Sequence, residues 1–345
     1  PTGYAMMIIE RGKDEINSIG GISLTGGIFN SLTAIEELTN MNFAGVKTGH
    51  YSHPEIIRSF LGILSLGKSD YNDIEIFRKD PFFMDCLKLH KVPSESILRQ
   101  RLDIMSKDQR VIKVLGKANI ETLSKVKDFG KEKTEHSEYT VVDGDVSILD
   151  NSNSKKEGVS WSYANVDGYA PMFAYIGTHG YMLECELRPG SQHTNKGTVE
   201  FIRRVIERCK CLNVSNILIR LDSGCDDSDV IEEIMKHPEM YFLIKRNLRK
   251  ESKEQWLELA KAVGKCQSPR EGKKVYTGAV THIRPASREE LNPIFTVFEV
   301  TERTITADGQ MLLQSEIEVN TWWTNVPEEP ETSIELYHRH GTSEQ

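Results

Sequence analysis

The chain has 345 residues, of which 38% are hydrophobic and 27% charged, and a net charge of −8. That is the composition of a globular protein long enough for two or three domains and a large core. No apolar run approaches the roughly 18 residues needed to cross a bilayer, and the N-terminal stretch PTGYAMMIIERGKDE has no basic leader, so neither a membrane span nor a signal peptide is expected and the cytoplasm is the expected compartment.

The first ~135 residues read as helical. GGIFNSLTAIEELTNM and PEIIRSFLGILSLG carry apolar residues at helical spacing, Pro54 is placed to open the second helix, and Ser94 is the expected N-cap of a helix through VPSESILRQRLDIM. The charged stretch SKVKDFGKEKTEHSE, residues 124–138, reads as a linker. Strand texture follows. EYTVVDGDVSIL, YAPMFAYIG and YMLECELRPG are strand candidates, the last two separated by the turn GTHG. NKGTVEFIRRVIERCKCL is an amphipathic helix with Val199, Ile202, Ile206 and Cys209 on one face. NILIRLD is a short apolar strand ending in an acid, SDVIEEIMKH a helix, and YFLIKR another buried strand. Three strands, helix, strand, helix, strand predict an α/β fold with a mixed sheet flanked by helices.

From 249 to 325 the texture shifts again. A basic helix, KEQWLELAKAVGK, precedes strand-like runs KVYTGAVTHI, IFTVFEVTERTI and MLLQSEIEVNTWWTNV, with ADGQ as the hairpin turn between the last two. PEEPETSIELYHRHGTSEQ returns to helix, with Thr332 or Ser333 as its N-cap. The expected organisation is a helical region over 1–136, a core over 137–248, a β-rich insert over 249–325 and a returning helix over 326–345.

Several residues are placed to do chemistry. Asp143 and Asp145 sit two apart on one strand candidate, so their side chains share a face. Two carboxylates there are costly unless a cation or water satisfies them. Asp222 ends NILIRLD, where functional residues of open sheets collect; it is either a metal-ligand candidate or the cap of the next helix. In YHRHGTSE, Tyr337, His340 or Gly341, and Glu344 fall on one helical face. Mg²⁺ favours oxygen ligands, and two such ions about 4 Å apart can activate an attacking oxygen and stabilise a leaving one. Residues Lys245 to Lys274 hold ten Lys or Arg against four Glu. Opened by Lys245, Arg246, Arg249 and Lys250, this run is either a solvated face or a phosphate-contacting patch. The six cysteines, Cys86, Cys185, Cys209, Cys211, Cys225 and Cys266, lack zinc-ligand spacing and are expected to be free thiols. The acidic run DSGCDDSD lacks the ligand spacing and loop glycine of an EF-hand.

Taken in order, these segments resemble the DDE transposases of bacterial insertion sequences, in the group marked by a Tyr-x-x-Arg-x-x-x-Glu signature. VDGDVSILDNS resembles the first-acid strand, with Asp145 before Val146 and Ser147 the best fit and Asp143 the alternative. EGVSWSYANVDGYAPMFAYIG resembles the segment that follows, and RPGSQHTNKG the loop before the first core helix. IRLDSGC resembles the second-acid strand, which points to Asp222, and YHRHGTSEQ the third-acid helix, which points to Glu344. LTGGIFNSL and IFRKDPFF near the N-terminus are also similar.

The resemblance implies a ribonuclease-H-like core, an N-terminal DNA-binding and dimerisation region, and two Mg²⁺ or Mn²⁺ ions held by Asp145, Asp222 and Glu344. It implies DNA as the partner, both terminal inverted repeats and target, with a homodimer assembled on it at the nucleoid. It implies cleavage by activated water followed by joining of the 3′-OH end to target DNA. The insert would hold a hairpin intermediate, with Trp322 or Trp323 stacking on a flipped base; the alternative is one Trp in the core and one exposed by strand alternation. Tyr337 is expected to contact phosphate. His340 stands where the signature has Arg, and the adjacent Arg339 could substitute with a shifted reach. His193 in GSQHTNKG is a further residue that could approach the site. Family members continue beyond the third acid, which implies a C-terminally truncated copy here. The same core also admits a metal-dependent nuclease without strand transfer, or an inactive DNA-binding remnant.

Overall fold

A computed structural model describes residues 18–46, 50–282 and 294–340. The chain divides into two compact units between Thr122 and Leu123.

The first unit is helical. Its helices are α1 (Ile22–Asn30), α2 (Thr33–Glu36), α3 (His53–Ser65), α4 (Pro81–Leu87), α5 (Glu95–Met105) and α6 (Gln109–Leu123). Local chemistry sets their starts. Ser52 and Glu55 form a capping box on α3 with Pro54 in its first turn, and Ser94 caps α5 by accepting from the Ile97 amide at 3.4 Å. The apolar faces close on a core containing Ile22, Ile35, Leu38, Ile56, Ile63, Phe83 and Leu98.

The second unit begins earlier than the expected boundary at 136. The stretch read as a linker contains β1 (Glu132–Lys133), which pairs with β2 (Glu138–Val146) and so joins the sheet. Then come β3 (Leu149–Asp150), β4 (Ser160–Trp161), β5 (Asp167–Tyr169), β6 (Met172–Ile176) and β7 (Tyr181–Glu186). α7 (Thr198–Cys211), β8 (Ile217–Leu221), α8 (Ser228–Met235) and β9 (Met240–Lys245) follow. The rest is α9 (Lys253–Val263), β10 (Lys265–Arg270), β11 (Lys273–His282), β12 (Ile294–Ile305), β13 (Met311–Thr324) and α10 (Pro330–His338).

Among the described residues ten strands form one sheet, ordered β10-β11-β12-β13-β9-β8-β2-β6-β7 with β1 on the side of β2. β2, β8 and β9 run parallel, while β6 is antiparallel to β2 and to β7. This is the ribonuclease-H-like arrangement, a hairpin-linked opening followed by β-α-β-α-β. The segment 249–325 is not a separate body. Trp322, Trp323 and Thr324 of β13 pair with Lys245, Ile244 and Leu243 of β9, so the expected insert extends the central sheet. A three-stranded sheet, β3-β5-β4, lies between β2 and β6 and was not foreseen. Neither Thr332 nor Ser333 caps α10. The helix starts a turn earlier at Pro330, whose fixed φ suits a first turn, with Glu329 at the N-cap and Ser333 buried. The six cysteines are free. No helix among the described residues is long and apolar enough to cross a membrane.

Candidate active site

The site follows from strand alternation. Side chains two apart along a strand share a face. Tyr139, Val141, Leu218, Leu243 and Trp322 form one apolar cluster with Ile334 and Leu336 of α10, so this face of β2, β8 and β9 lies under that helix. The strand register aligns Asp143 with Arg220 and Arg220 with Leu243, and then Gly144 with Leu221 and Leu221 with Ile244. One residue further, Asp145, Asp222 and Lys245 fall in a row at the carboxyl edge of the three parallel strands. Gly144 has a packing reason to lack a side chain, because a Cβ there would lie 2.6 Å from Leu221 Cδ2.

The row beneath is an ion cluster. Arg220 Nε and Nη2 donate to the two carboxylate oxygens of Asp143 at 2.5 and 2.6 Å, and its Nη1 donates to the Leu336 carbonyl of α10 at 2.6 Å. Glu132 of β1 lies 3.6 Å from Arg220 and accepts from Arg339 at 2.9 Å. Asp143, Arg220 and Glu132 are all buried. Asp143, the alternative first acid, is thus committed to Arg220. Arg339 is held by Glu132 and Glu335, so the shifted reach toward the acids is not what it does.

Asp145 and Asp222, in contrast, are half-buried at the edge. Asp222 keeps an extended backbone and its carboxylate accepts from the Gly224 amide at 3.1 Å, capping the short turn Ser223–Cys225. The capping expectation is thus met at Asp222, in the short turn before α8. The two acids act on their surroundings. Burial, then Asp145 and Asp222, push the Tyr163 phenol up, and burial, Asp222, Cys225 and Asp145 push the Tyr337 phenol up. Tyr337 donates to the Leu221 carbonyl at 3.3 Å and stacks on His340 with ring centres 5.5 Å apart. Burial holds His340 below the ordinary histidine range against the pull of the nearby acids, which favours a neutral ring. Gly341 and Glu344 lie outside the described residues. Among the described residues no group of three His, Cys, Asp or Glu side chains is placed to hold a metal ion.

The family model for the Transposase DDE domain group 1 matches residues 11–282. The chain belongs to this family. No curated protein matches it. Among solved structures it is similar to a piggyBac transposase synaptic complex with hairpin DNA, at 12% identity and a TM-score of 0.45, covering 94% of this chain and 66% of that one. It is also similar to a Mos1 transposase paired-end complex with left transposon end, at 11% identity and a TM-score of 0.22, covering 57% of this chain and 60% of that one. The chain spans less than two thirds of each of those chains.

In this DDE-domain protein the expected DNA-contacting residues fare unequally. Trp322 and Trp323 are 1% and 3% exposed, so neither offers a face to a base. The alternation argument fails there because both faces of the sheet are covered. Trp322 packs under α10 against Tyr337, and Trp323 donates from Nε1 to Asp226 at 2.8 Å with the Arg246 guanidinium 4.2 Å above its ring. Arg246 is buried there and donates to Glu251 at 2.6 Å, so it serves the core rather than a phosphate surface. Lys245 is half-buried in the row of the acids. Arg249 and Lys250 are exposed in the loop after β9, with Arg249 donating to the Asp226 carbonyl at 3.3 Å. His193 is exposed in its loop and accepts from the Asn195 amide at 3.3 Å. Its neighbour Thr194 is the residue that abuts the Asp222 turn, since a Cβ on Gly224 would lie 3.2 Å from Thr194 Cγ2. Sequence reasoning missed Arg220, although its i−2 spacing from Asp222 matches that of Asp143 from Asp145. It also missed Tyr163, whose only signal was the WSY cluster in an otherwise polar stretch.

Proposed function

We propose that this chain is a DNA transposase that cuts at element ends and joins them to target DNA, with Asp145 and Asp222 holding a divalent cation, Mg²⁺ or Mn²⁺. The observation that carries the reading is the register of β2 and β8, which brings two acids 77 residues apart in sequence to one sheet edge. The donor set suits such an ion. Both groups are hard oxygen donors, half-buried, on adjacent extended strands, and Mg²⁺ is usually held by one or two carboxylates plus substrate phosphate. When bound, the ion would sharpen water as a nucleophile and stabilise the leaving oxygen.

The chain's own side chains do the remaining work in this reading. Asp145 and Asp222 present carboxylates toward the scissile phosphate position. Tyr337, its phenol pushed up by burial and then by the acids, offers a hydroxyl donor beside them. Lys245, Arg249 and Lys250 supply positive charge along the same edge for flanking phosphates. Glu344 is the third acid and would complete a site for a second ion. The helical first unit is assigned to DNA binding and dimerisation, and the partners are the terminal inverted repeats and the target duplex.

Purified protein titrated with Mn²⁺ tests this. Stabilisation of about 2.7 kcal/mol is expected at a hundredfold excess over Kd, and Asp222→Asn and Asp145→Asn should each abolish it together with nicking of supercoiled plasmid. Joined as well as nicked products identify a transposase, nicked products alone a nuclease, and binding without cutting an inactive remnant. An equal Mn²⁺ shift in the parent and in Asp222→Asn would sink the assignment of the acids.

A further inference from the structure

The turn that starts at Asp222 is closed by its own backbone. The Cys225 amide donates to the Asp222 carbonyl at 3.1 Å and the Asp226 amide to the Ser223 carbonyl at 3.3 Å. Such a short turn does not fix its own orientation, so something must hold its far end. Cys225 is fully buried, but apolar burial has no direction. Asp226 supplies the direction. It is an acid only 5% exposed, which is costly unless its oxygens are satisfied. Two elements satisfy them. Trp323 Nε1 of β13 donates to Oδ1 at 2.8 Å, from 97 residues away, and the Asn247 amide after β9 donates to Oδ2 at 3.0 Å. Arg249 adds a bond to the Asp226 carbonyl at 3.3 Å.

We propose that Asp226 is a positioning residue for Asp222, held in place by Trp323, so that the β-rich segment 249–325 sets the aim of the second acid. The proposal rests on the reading of Asp145 and Asp222 as the cutting edge. Three observations carry it. First, both oxygens of Asp226 accept from N–H donors, a demand that an aspartate meets and an asparagine cannot, because its amide nitrogen would face a donor. Second, Trp323 is itself fixed. The Arg246 guanidinium lies 4.2 Å above its ring and 5.6 Å from the Trp256 ring, while Glu251 accepts from Arg246 at 2.6 Å and from Trp256 Nε1 at 2.8 Å. The anchor therefore reaches through the core to α9. Third, the turn has little slack on its other side. A Cβ on Gly224 would lie 3.2 Å from both Asp222 carboxylate oxygens and from Thr194 Cγ2. A shift of Asp226 therefore moves the Gly224 amide, which bonds the Asp222 carboxylate.

Trp323→Phe tests this, because it keeps an aromatic ring in the core and removes the donor to Asp226. Amide hydrogen exchange of the full chain in EDTA reads the turn without metal or cutting. The Gly224 amide should exchange about tenfold faster in the variant, with the amides of the β6–β7 pair at parental rates. Plasmid nicking should fall roughly 10- to 100-fold in kcat with KM unchanged. Asp226→Asn should act in the same direction, and adding it to Trp323→Phe should change little further, since both break one contact. If Trp323→Phe does not fold, Asp226→Asn carries the same comparison. Parental exchange at Gly224 overturns the proposal. Faster exchange along β6–β7 as well also overturns it, because the contact would then serve the fold at large. So does parental nicking in a variant whose Gly224 amide has been released. If Asp222→Asn fails the Mn²⁺ test, exchange at Gly224 still reports whether Trp323 and Asp226 hold the turn, so the two readings fail separately.

Discussion

Two rows of the same sheet, one step of strand alternation apart, treat charge in opposite ways. In the inner row, Asp143 and Arg220 are sealed under α10, and the guanidinium reaches Asp143 of β2, the Leu336 carbonyl of α10 and Glu132 of β1. In the outer row, Asp145 and Asp222 fall beside each other at the strand ends, half-buried rather than sealed. The contrast sets a buried, ion-paired carboxylate against two half-buried ones, although all four residues come from the near-identical spacings Asp-Gly-Asp and Arg-Leu-Asp. A buried pair with satisfied hydrogen bonds secures geometry. A pair of like charges at a strand end is a place for a cation.

The largest expected effect breaks the inner row. Arg220→Met leaves Asp143 buried without its partner and should cost about 3–5 kcal/mol, read by denaturant unfolding. Replacing both partners, Arg220→Met with Asp143→Leu, should recover most of that stability, because an apolar pair replaces the ion pair. The double variant still lacks the bond to the Leu336 carbonyl, so α10 loses its anchor and plasmid cutting should stay low. A double variant as unstable as the single one would show that the inner row is not an interchangeable structural pair.

A smaller effect probes the outer row. A Cβ on Gly224 would sit 3.2 Å from both carboxylate oxygens of Asp222, so Gly224→Ala should push that carboxylate aside by a few tenths of an ångström. The cutting rate should fall on the order of tenfold, because reacting groups tolerate little misplacement, while Tm changes little. Unchanged cutting would mean that the position of Asp222 is not critical.

The smallest effect calibrates a structural carboxylate away from the site. Glu233 of α8 is held down to about 2 by hydrogen bonds from Arg203 and Lys236. Its folded value lies below its unfolded one, so its stabilisation is fully present above the ordinary carboxylate range and is lost as pH falls toward about 2. Glu233→Gln should flatten the acid limb of a stability-versus-pH curve over that window and leave cutting at neutral pH untouched. An unaltered limb would mean that the pair contributes nothing.

The elements were legible because local rules decide them. Pro54, Ser94, GTHG and ADGQ act within a turn, and NILIRLD is apolar enough to read as a central strand whatever surrounds it. The roles of individual side chains were less legible. WSY gave no sign of leaving Trp161 and Tyr163 exposed, and WW gave no sign of being buried on both faces, because burial at those positions depends on what packs above them. Arg246 stood in a basic run and was read with it, yet it lies between Trp323 and Trp256.

The residues by themselves determined which segments become strands and helices, their order, and that Asp145 and Asp222 stand at strand ends, since periodicity and turn chemistry are local. Only the tertiary structure decided that β13 continues the central sheet, that Asp143 is taken up by Arg220, and which aromatic rings stay in solvent. Those outcomes depend on register and packing between segments far apart in the chain, and no short stretch of sequence carries them.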